Sequence, residues 1–388
     1  MAKVVIVIPT YNEKENTQKM IGALSVELPK IKNHEVNVLY VDANSPDGTS
    51  ELVKRNQKIY RWLHLFVEEK KEGLGPAYVK GFRYAMNKLG ADYVMEFDSD
   101  FQHRPDEIKN LVAEIDNGYE YIIGSRYIKG GSIPEEWGFN RKFLSVVGNL
   151  VARFGLLMPK IHDLTTGFKL TKVKGVLDRI DLDHLYSRSF AYKLHILAAA
   201  VNGGAKVKEV PIHFMAREKG ESKLIKNEMV ESLKVIFLFQ IHNPKIIRFL
   251  KFGTVGFVGF LVNYLGLEAF KLLGLSTYLA TLVATELAII SNFIFNNVWT
   301  FKEKKITKVS EIIPQFAKFN FSSLFAVIVQ PLIVTGFSLL FGDTSLVRLG
   351  ALVFALIVVI IPYNYAVYNI FIWKTWKVPI LEKLQKKN

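Results

Sequence analysis

Over the first 240 residues, short unbroken apolar runs alternate with stretches of helical period. Val4–Ile8, Val36–Val41, Leu65–Val67, Tyr93–Phe97 and Tyr121–Ile123 have strand length, and amphipathic stretches fall between them near residues 15–28, 49–60, 75–89 and 106–117. Runs that stay apolar, without a polar residue at every second position, imply strands covered on both faces by helices. The pattern therefore predicts an α/β architecture of the nucleotide-binding kind, in which ligands gather beyond the carboxyl ends of the strands.

Beyond residue 240 the apolar stretches lengthen. Phe319–Gly342 and Leu349–Ile372 contain no charged residue, and Phe252–Phe270 and Tyr278–Trp299 hold one carboxylate each, Glu268 and Glu286. Each is close to or above the roughly 20 apolar residues that cross a bilayer core. They predict an all-α transmembrane domain over 246–388, with four spans at about 249–270, 277–300, 317–342 and 347–373. A soluble domain over 1–227 and an amphipathic linker over 228–245 precede it. Glu286, in mid-span, reads either as a functional site or as a structural hydrogen-bond partner of Asn263 or Asn292.

Charge orients this arrangement. Residues 1–240 carry 35 Lys and Arg against 30 Asp and Glu, and residues 241–388 carry 15 against 6, so most of the net +14 lies on the apolar half. Lys245, Arg248 and Lys251 precede the first span, and Lys302, Lys304, Lys305, Lys308 and Lys318 separate the second from the third. The tail adds Lys374, Lys377, Lys383, Lys386 and Lys387, while the two intervening connections carry one Lys and one Arg. The positive-inside rule then predicts a multi-pass protein of the cell membrane, with the soluble domain and the C-terminus both cytoplasmic. Trp299, Trp373 and Trp376, at span ends on that side, are expected at the interface. Basic residues beside hydrophobic segments point to membrane lipids as partners and away from nucleic acid. The chain has no cysteine, which excludes disulfides and thiolate metal sites.

Polar residues crowd four of the predicted strand ends. Pro9–Glu13 follows the first strand, Asp42–Thr49 the second, Gly73-Leu74-Gly75 opens the third helix, and Asp98-Ser99-Asp100 with Gln102 and His103 follows the fourth apolar run. Four polar ends on one sheet edge make a shared pocket. Two carboxylates spaced i, i+2 at a strand end point the same way, and Mg²⁺ and Mn²⁺ favour such oxygens while bridging to substrate phosphates. The pair reads as the metal and diphosphate site of an enzyme with a nucleotide-activated donor.

Val7-Ile8-Pro9-Thr10-Tyr11-Asn12-Glu13, Val41–Thr49, Gly73-Leu74-Gly75, Asp98–Pro105, Gly124-Ser125-Arg126-Tyr127, Asp163–Lys169 and Gly220–Leu224 occur in that order. In these motifs the soluble half resembles the inverting family 2 glycosyltransferases, and more narrowly the dolichyl-phosphate mannose synthases. The apolar half resembles the small GtrA-like membrane domain found on some archaeal and bacterial relatives. The resemblance implies a GT-A-like, Rossmann-like nucleotide-diphospho-sugar transferase fold that moves mannose from GDP-mannose to dolichyl phosphate. It implies that Pro9, Tyr11, Glu13, Val41, Asp42, Asp47, Gly73, Asp98 and Ser99 hold the donor nucleotide. Asp98, Asp100 and Gln102 would ligate Mg²⁺ or Mn²⁺; Ser99 stands where the family often has Ala. Asp100 and Arg126 would serve catalysis, and Arg126, Arg141, Ser145, Arg217 and Lys223 would hold acceptor phosphate or donor diphosphate.

An acceptor phosphate already carries its nucleophilic oxygen as an anion, so no strong general base is required. The metal would neutralise charge on the departing diphosphate, arginine forks would grip phosphate, and His103 is expected to orient a ligand or donor hydroxyl. Phe143–Met158, with Leu144, Val147, Val151 and Phe154 at helical spacing, fits either the core or the membrane interface. Met229–Phe239, with Met229, Leu233, Ile236 and Phe237, is expected at the interface, where it would bring the lipid phosphate to the metal site. Two other readings compete: UDP-glucose-dependent glucosyl transfer to the same acceptor, and a non-catalytic polyprenyl-phosphate binding or flipping protein. The sequence carries no signal for an oligomeric state.

Overall fold

In a computed structural model, which describes residues 1–216, 226–342 and 344–376, seven strands of the first unit form one mixed sheet. These are β1 (Lys3–Thr10), β2 (Glu35–Asp42), β3 (Leu63–Val67), β4 (Tyr93–Glu96), β5 (Tyr121–Ser125), β6 (Lys169–Lys172) and β7 (Val207–Pro211). Their spatial order is β3-β2-β1-β4-β6-β5-β7. Every pairing is parallel except those of β6, which runs antiparallel to β4 and to β5. The first five strands lie where the apolar runs put them. Strands β6 (KLTK) and β7 (VKEVP) carry no such run and were not legible from hydropathy.

Among the described residues, seven α-helices belong to this unit: α1 (Lys14–Glu27), α2 (Thr49–Asn56), α3 (Leu74–Asn87), α4 (Ile108–Ala113), α5 (Phe139–Gly155), α6 (Tyr192–Asn202) and α7 (Lys226–Ile241). Alternate strand residues feed opposite faces of a sheet. Val4, Ile6, Ile8, Val38, Tyr40 and Met95 pack with α1, α2 and α4 through Met20, Leu24, Val53 and Leu111. Val5, Val7, Leu39, Val41 and Val94 pack the other way, with Tyr78 and Phe82 of α3 and Leu194 and Leu197 of α6. Both faces are covered, as unbroken apolar strands require.

The chain divides at Ile241 into two units, Met1–Ile241 and His242–Asn388. The stretch expected as a linker over 228–245 is largely α7, which packs into the first unit through Val235 and Ile236. Gln240 donates to the Gly155 carbonyl at 2.6 Å, tying α7 to the end of α5. Met229, Leu233 and Phe237 of α7 remain exposed, as do Phe139, Phe143, Leu144, Val151 and Phe154 of α5. Val147 of α5 is half-buried.

The second unit is helical: α8 (Pro244–Leu272), α9 (Thr277–Phe295), α10 (Val309–Phe341), α11 (Ser345–Phe354) and α12 (Ile361–Val367), with π-helical turns at Asn296–Thr300, Ala355–Ile360 and Tyr368–Ile372. Among the described residues, Pro244–Leu272, Leu282–Thr300 and Ala355–Ile372 are long and apolar enough to cross a membrane by length and composition. Helix α10 covers the stretch predicted as the third span. Phe252, Phe293, Phe301, Phe319, Tyr368 and Trp373 form its core. Asn297 donates to the Ile306 carbonyl and accepts from the Ile306 amide and the Trp373 indole. Trp373 therefore differs from its expected place at an interface. It is 2 % exposed and stacks on Phe301 at 4.3 Å, because Asn297 satisfies its N–H inside the unit. Trp299 and Trp376 are exposed. Glu286 is also exposed, and the Asn292 side chain lies where a Cβ at Gly259 of α8 would stand.

Helix α3 meets the sheet closely at Gly81, which has no side chain. A Cβ there would overlap Val7 Cγ1 and come within 3.0 Å of Val41 Cγ2. Gly81→Ala is expected to cost about 1–3 kcal/mol by overpacking, read as a lowered thermal midpoint of the detergent-purified chain.

Candidate active site

The acidic turn begins where β4 ends. Tyr78 of α3 donates its hydroxyl to Asp98 Oδ1 at 2.9 Å and to the Phe97 carbonyl at 3.2 Å, fixing the first carboxylate. Asp100 accepts from the Gln102 amide at 3.1 Å, and the Gln102 carbonyl accepts from Met215 at 2.9 Å. Between them Phe101 has φ 60°, a left-handed conformation that is costly for a bulky residue and that marks many functional turns. The chain is thereby folded back so that Asp98, Asp100 and Gln102 share one short turn. Asp98, Asp100 and Gln102 are each half-buried, and Gln102 Nε2 is buried without a hydrogen-bond partner. Among the described residues no group of three or more His, Cys, Asp or Glu forms a metal cage. Two carboxylates and an amide instead make an open donor set, which suits Mg²⁺ or Mn²⁺ shared with substrate phosphates.

His103 is 2 % exposed and wedged among Phe97, Phe168 and Phe214, with ring centroids 6.2, 5.3 and 5.0 Å away. Burial pushes its imidazole down to about 3. It is a neutral, packed ring.

The loops after β1 and β2 are organised around Asp42. Its carboxylate is fully buried and accepts from Thr10 Oγ1 (3.0 Å), Ser45 Oγ (2.6 Å), the Ser45 amide (2.9 Å) and Ser50 Oγ (2.6 Å). Four bonds fill a carboxylate's usual capacity, so Asp42 ties two strand ends together from inside. Asn12 and Asn44 on these loops have φ 58° and 54°, and the Asn12 amide donates to Ser45 Oγ at 2.9 Å. Asp47 accepts from Thr49 and from the Lys14 amide. Burial alone would raise the Asp47 carboxyl, and these bonds outweigh it and hold it below its ordinary value. Tyr11 is exposed, with Lys71 Nζ 3.8 Å above its ring. Glu13 accepts from Asn16 at 2.7 Å, Pro9 is half-buried, Val41 lies fully in the core and Ser99 is buried. Gly73 has φ 119° and starts α3, whose Gly75 amide donates to the Arg188 carbonyl at 3.0 Å.

On the far side of the turn, Arg126 follows β5. Its guanidinium is held bidentately by Asp163, Nε to Oδ2 at 2.7 Å and Nη2 to Oδ1 at 2.8 Å, and Nη2 also donates to Thr165 Oγ1 at 2.8 Å. The Arg126 amide binds the same carboxylate at 3.0 Å. Burial alone would raise the Asp163 carboxyl; the Arg126 charge and hydrogen bonds overcome it and hold the carboxyl below its ordinary value. Asn149 of α5 clamps this segment from the other side, donating to the His162 carbonyl and accepting from the Leu164 amide. Tyr127 and Ser145 share a 2.6 Å hydrogen bond, and the Arg141 guanidinium lies 4.1 Å over the Trp137 ring. A cleft of about 540 Å³ lined by Phe101, Arg104, Ser132, Glu135, Phe214 and Met215 opens beside the turn. Arg217 and Lys223 lie outside the described residues.

Sequence reading missed Tyr78, Asp163 as the partner of Arg126, and three buried charges behind the turn. Glu96 is 1 % exposed, and Lys169 and Lys193 are fully buried. Burial pushes the Lys169 ammonium down to about 8, and its Nζ donates to the Leu164 carbonyl at 2.9 Å. Glu96 was visible as a charge inside an apolar strand. The other residues sit in stretches whose pattern gives no hint of one another.

Comparison with known proteins agrees with this division. Residues 5–178 match the family described as Glycosyl transferase family 2, and residues 251–373 match the GtrA/DPMS transmembrane domain. A dolichol-phosphate mannosyltransferase of Pyrococcus furiosus is 35 % identical over 331 residues, covering 84 % of this chain and 88 % of the relative. A polyprenol monophosphomannose synthase of Mycolicibacterium smegmatis is 35 % identical over 232 residues, covering 60 % of this chain and 84 % of the relative. Among solved structures, a mannosyltransferase from Pyrobaculum calidifontis in complex with GDP-Man and Mn²⁺ is 15 % identical, with a TM-score of 0.37 and coverage of 95 % of this chain and 87 % of that one.

The Arg126–Asp163 pair gives a test of how the edge is held. Asp163→Asn leaves a buried guanidinium without its counter-charge, which is expected to cost about 3–5 kcal/mol. In the unchanged protein the folded carboxyl is depressed, so the pair's stabilisation is complete above the ordinary carboxylate range of about 4 and is lost as pH falls through the lower folded value. Thermal unfolding across pH 3–7 should show that acid limb in the wild-type chain and a flatter one in Asp163→Asn.

Proposed function

Because the chain belongs to the family 2 glycosyltransferases and is a mannosyltransferase of the polyprenyl-phosphate kind, we propose that it transfers mannose, with inversion, from GDP-mannose to dolichyl phosphate, using Mg²⁺ or Mn²⁺. The observation that carries this reading is the open turn Asp98-Ser99-Asp100 with Gln102, flanked by the Asp42-organised loops on one side and Arg126 on the other.

The nucleotide would lie over the ends of β1 and β2, with exposed Tyr11 against the base and Glu13 within reach of hydroxyls or base amines. Pro9, Gly73 and the Asp42, Asp47 and Ser99 turns shape the same surface. Val41 supports it from the core. Asp98, Asp100 and Gln102 would hold the cation, which when bound neutralises charge on the leaving diphosphate. Arg126 has committed its Nε and Nη2 edge to Asp163 and Thr165, so its Nη1 protons are the ones it can offer an acceptor phosphate. Arg141 and Ser145 would complete that grip, and Arg217 and Lys223 would join it or serve the donor diphosphate. The acceptor oxygen is already anionic, so the neutral His103 is not needed as a base.

Membrane association follows from the GtrA/DPMS domain. We place the first unit and the C-terminus on the cytoplasmic side by the basic connections, with four spans in the membrane. The exposed apolar residues of α5 and α7, among them Phe143, Phe154 and Phe237, would dip into the interface and present the lipid phosphate.

The test is transfer of label to dolichyl phosphate by the detergent-purified chain with Mn²⁺, from GDP-mannose or UDP-glucose. Transfer from GDP-mannose alone is expected, with Asp100→Ala reducing it about 100-fold or more, the loss of several kcal/mol of leaving-group stabilisation. Transfer from UDP-glucose would overturn the donor. Binding of the lipid phosphate without turnover from either donor would favour a binding or flipping role.

A further inference from the structure

The reading above leaves a buried lysine without a task. Lys193, the second residue of α6, is fully buried. Its Nζ has no hydrogen-bond acceptor among the described residues. Glu96 Oε2 lies 3.4 Å away and accepts a 2.8 Å bond from Tyr192. The ring faces of Tyr78 and Phe190, each 4.9 Å from Nζ, close round it. A full positive charge taken out of water needs more than one loose ion pair to hold it.

Gly167 shows what else the ammonium faces. A Cβ there would stand 2.9 Å from Lys193 Nζ, 3.0 Å from Asp98 Oδ2 and 3.2 Å from His103 Nε2. The three groups therefore converge on one point, with the ammonium and Oδ2 within about 6 Å of each other. The other oxygen of Asp98 is the one that Tyr78 holds.

We propose that Lys193 is a positioning residue for Asp98: anchored by Glu96 and the rings of Tyr78 and Phe190, its ammonium faces Oδ2 while Tyr78 grips Oδ1, fixing the carboxylate in one orientation before a metal and a diphosphate arrive. This rests on Asp98 being a metal ligand. Such outer partners tune a site by orienting its ligands and typically set metal affinity by 10–100-fold. Position 167 is glycine because the meeting point leaves no room for a side chain. Glu96, two residues before Asp98 on the same chain segment, links the lysine and the acidic turn.

The experiment is Mn²⁺ binding by the full-length chain in detergent with GDP present, read from the free-Mn²⁺ electron paramagnetic resonance signal. Wild type, Asp100→Ala, Lys193→Met and the double variant Lys193→Met/Glu96→Gln would be compared. The double variant removes both charges of the buried pair, and Lys169, the other cation near Glu96, keeps its bond to the Leu164 carbonyl. It is expected to keep a thermal midpoint near wild type while its Mn²⁺ dissociation constant rises about 10–100-fold, and in turnover KM for Mn²⁺ should rise more than kcat falls. Wild-type Mn²⁺ affinity in a folded double variant would overturn the proposal, leaving Lys193 only as the counter-charge of Glu96. Should that variant not fold, Lys193→Met decides, because it removes the ammonium without touching Asp98 and leaves Glu96 its bond from Tyr192: weakened Mn²⁺ binding supports the proposal and unchanged binding refutes it. Equal Mn²⁺ binding by wild type and Asp100→Ala would instead remove the metal site itself, a different failure that takes this inference with it.

Discussion

Strand β6 runs against both its neighbours, and its register puts Lys169 directly opposite Glu96 of β4. Because β6 enters the sheet at the edge where β4 and β5 leave it, the residues just before it, Asp163 to Gly167, are delivered to the carboxyl edge. There Asp163 meets Arg126 and Gly167 meets Asp98. Charges inside a protein persist only when matched, and here Arg126, Asp163, Lys169, Glu96, Lys193 and Asp98 alternate in sign behind the acidic turn. Reversing one strand therefore sets Lys169 opposite Glu96 and brings the segment that leads into it, with Asp163 and Gly167, to the same edge.

The same economy governs the other half of the edge. Asp42 resembles a ligand in sequence and acts as an internal tie in the structure, spending every lone pair on Thr10, Ser45 and Ser50. The backbone strain at Asn12, Asn44 and Phe101 is concentrated on these strand ends. Such conformations persist only when the surroundings over-determine them, and the buried hydrogen bonds of Asp42, Tyr78 and Gln102 do that. What faces outward is consequently a small set: Tyr11, Glu13, the acidic turn and the cleft beside Phe214.

The two units solve different solvation problems. In the first, polar groups at the edge are paired by side chains because water is the competitor. In the second, the buried Asn297 is answered inside the unit by the Ile306 backbone and the Trp373 indole, since an amide has no partner in hydrocarbon. That is why Trp373, which an aromatic-belt argument sends to the interface, is drawn into the core.

Much of this protein was legible in one dimension. Unbroken apolar runs determined β1 to β5 and the two-sided cover of the sheet, and the long uncharged stretches determined a membrane unit, because burial and bilayer thickness act on local composition. The ordered motifs likewise marked the edge and the Asp98–Gln102 turn, since the residues of each turn are neighbours in sequence. Strands β6 and β7 were not legible, being short, lysine-bearing and stabilised by neighbours far along the chain. Nor were the partners of Arg126 or the convergence of Lys193, Gly167 and Asp98, which join residues from α6, the approach to β6 and the end of β4. Only the tertiary structure could decide those, because a buried charge is defined by what surrounds it, and its surroundings come from wherever the fold happens to pass.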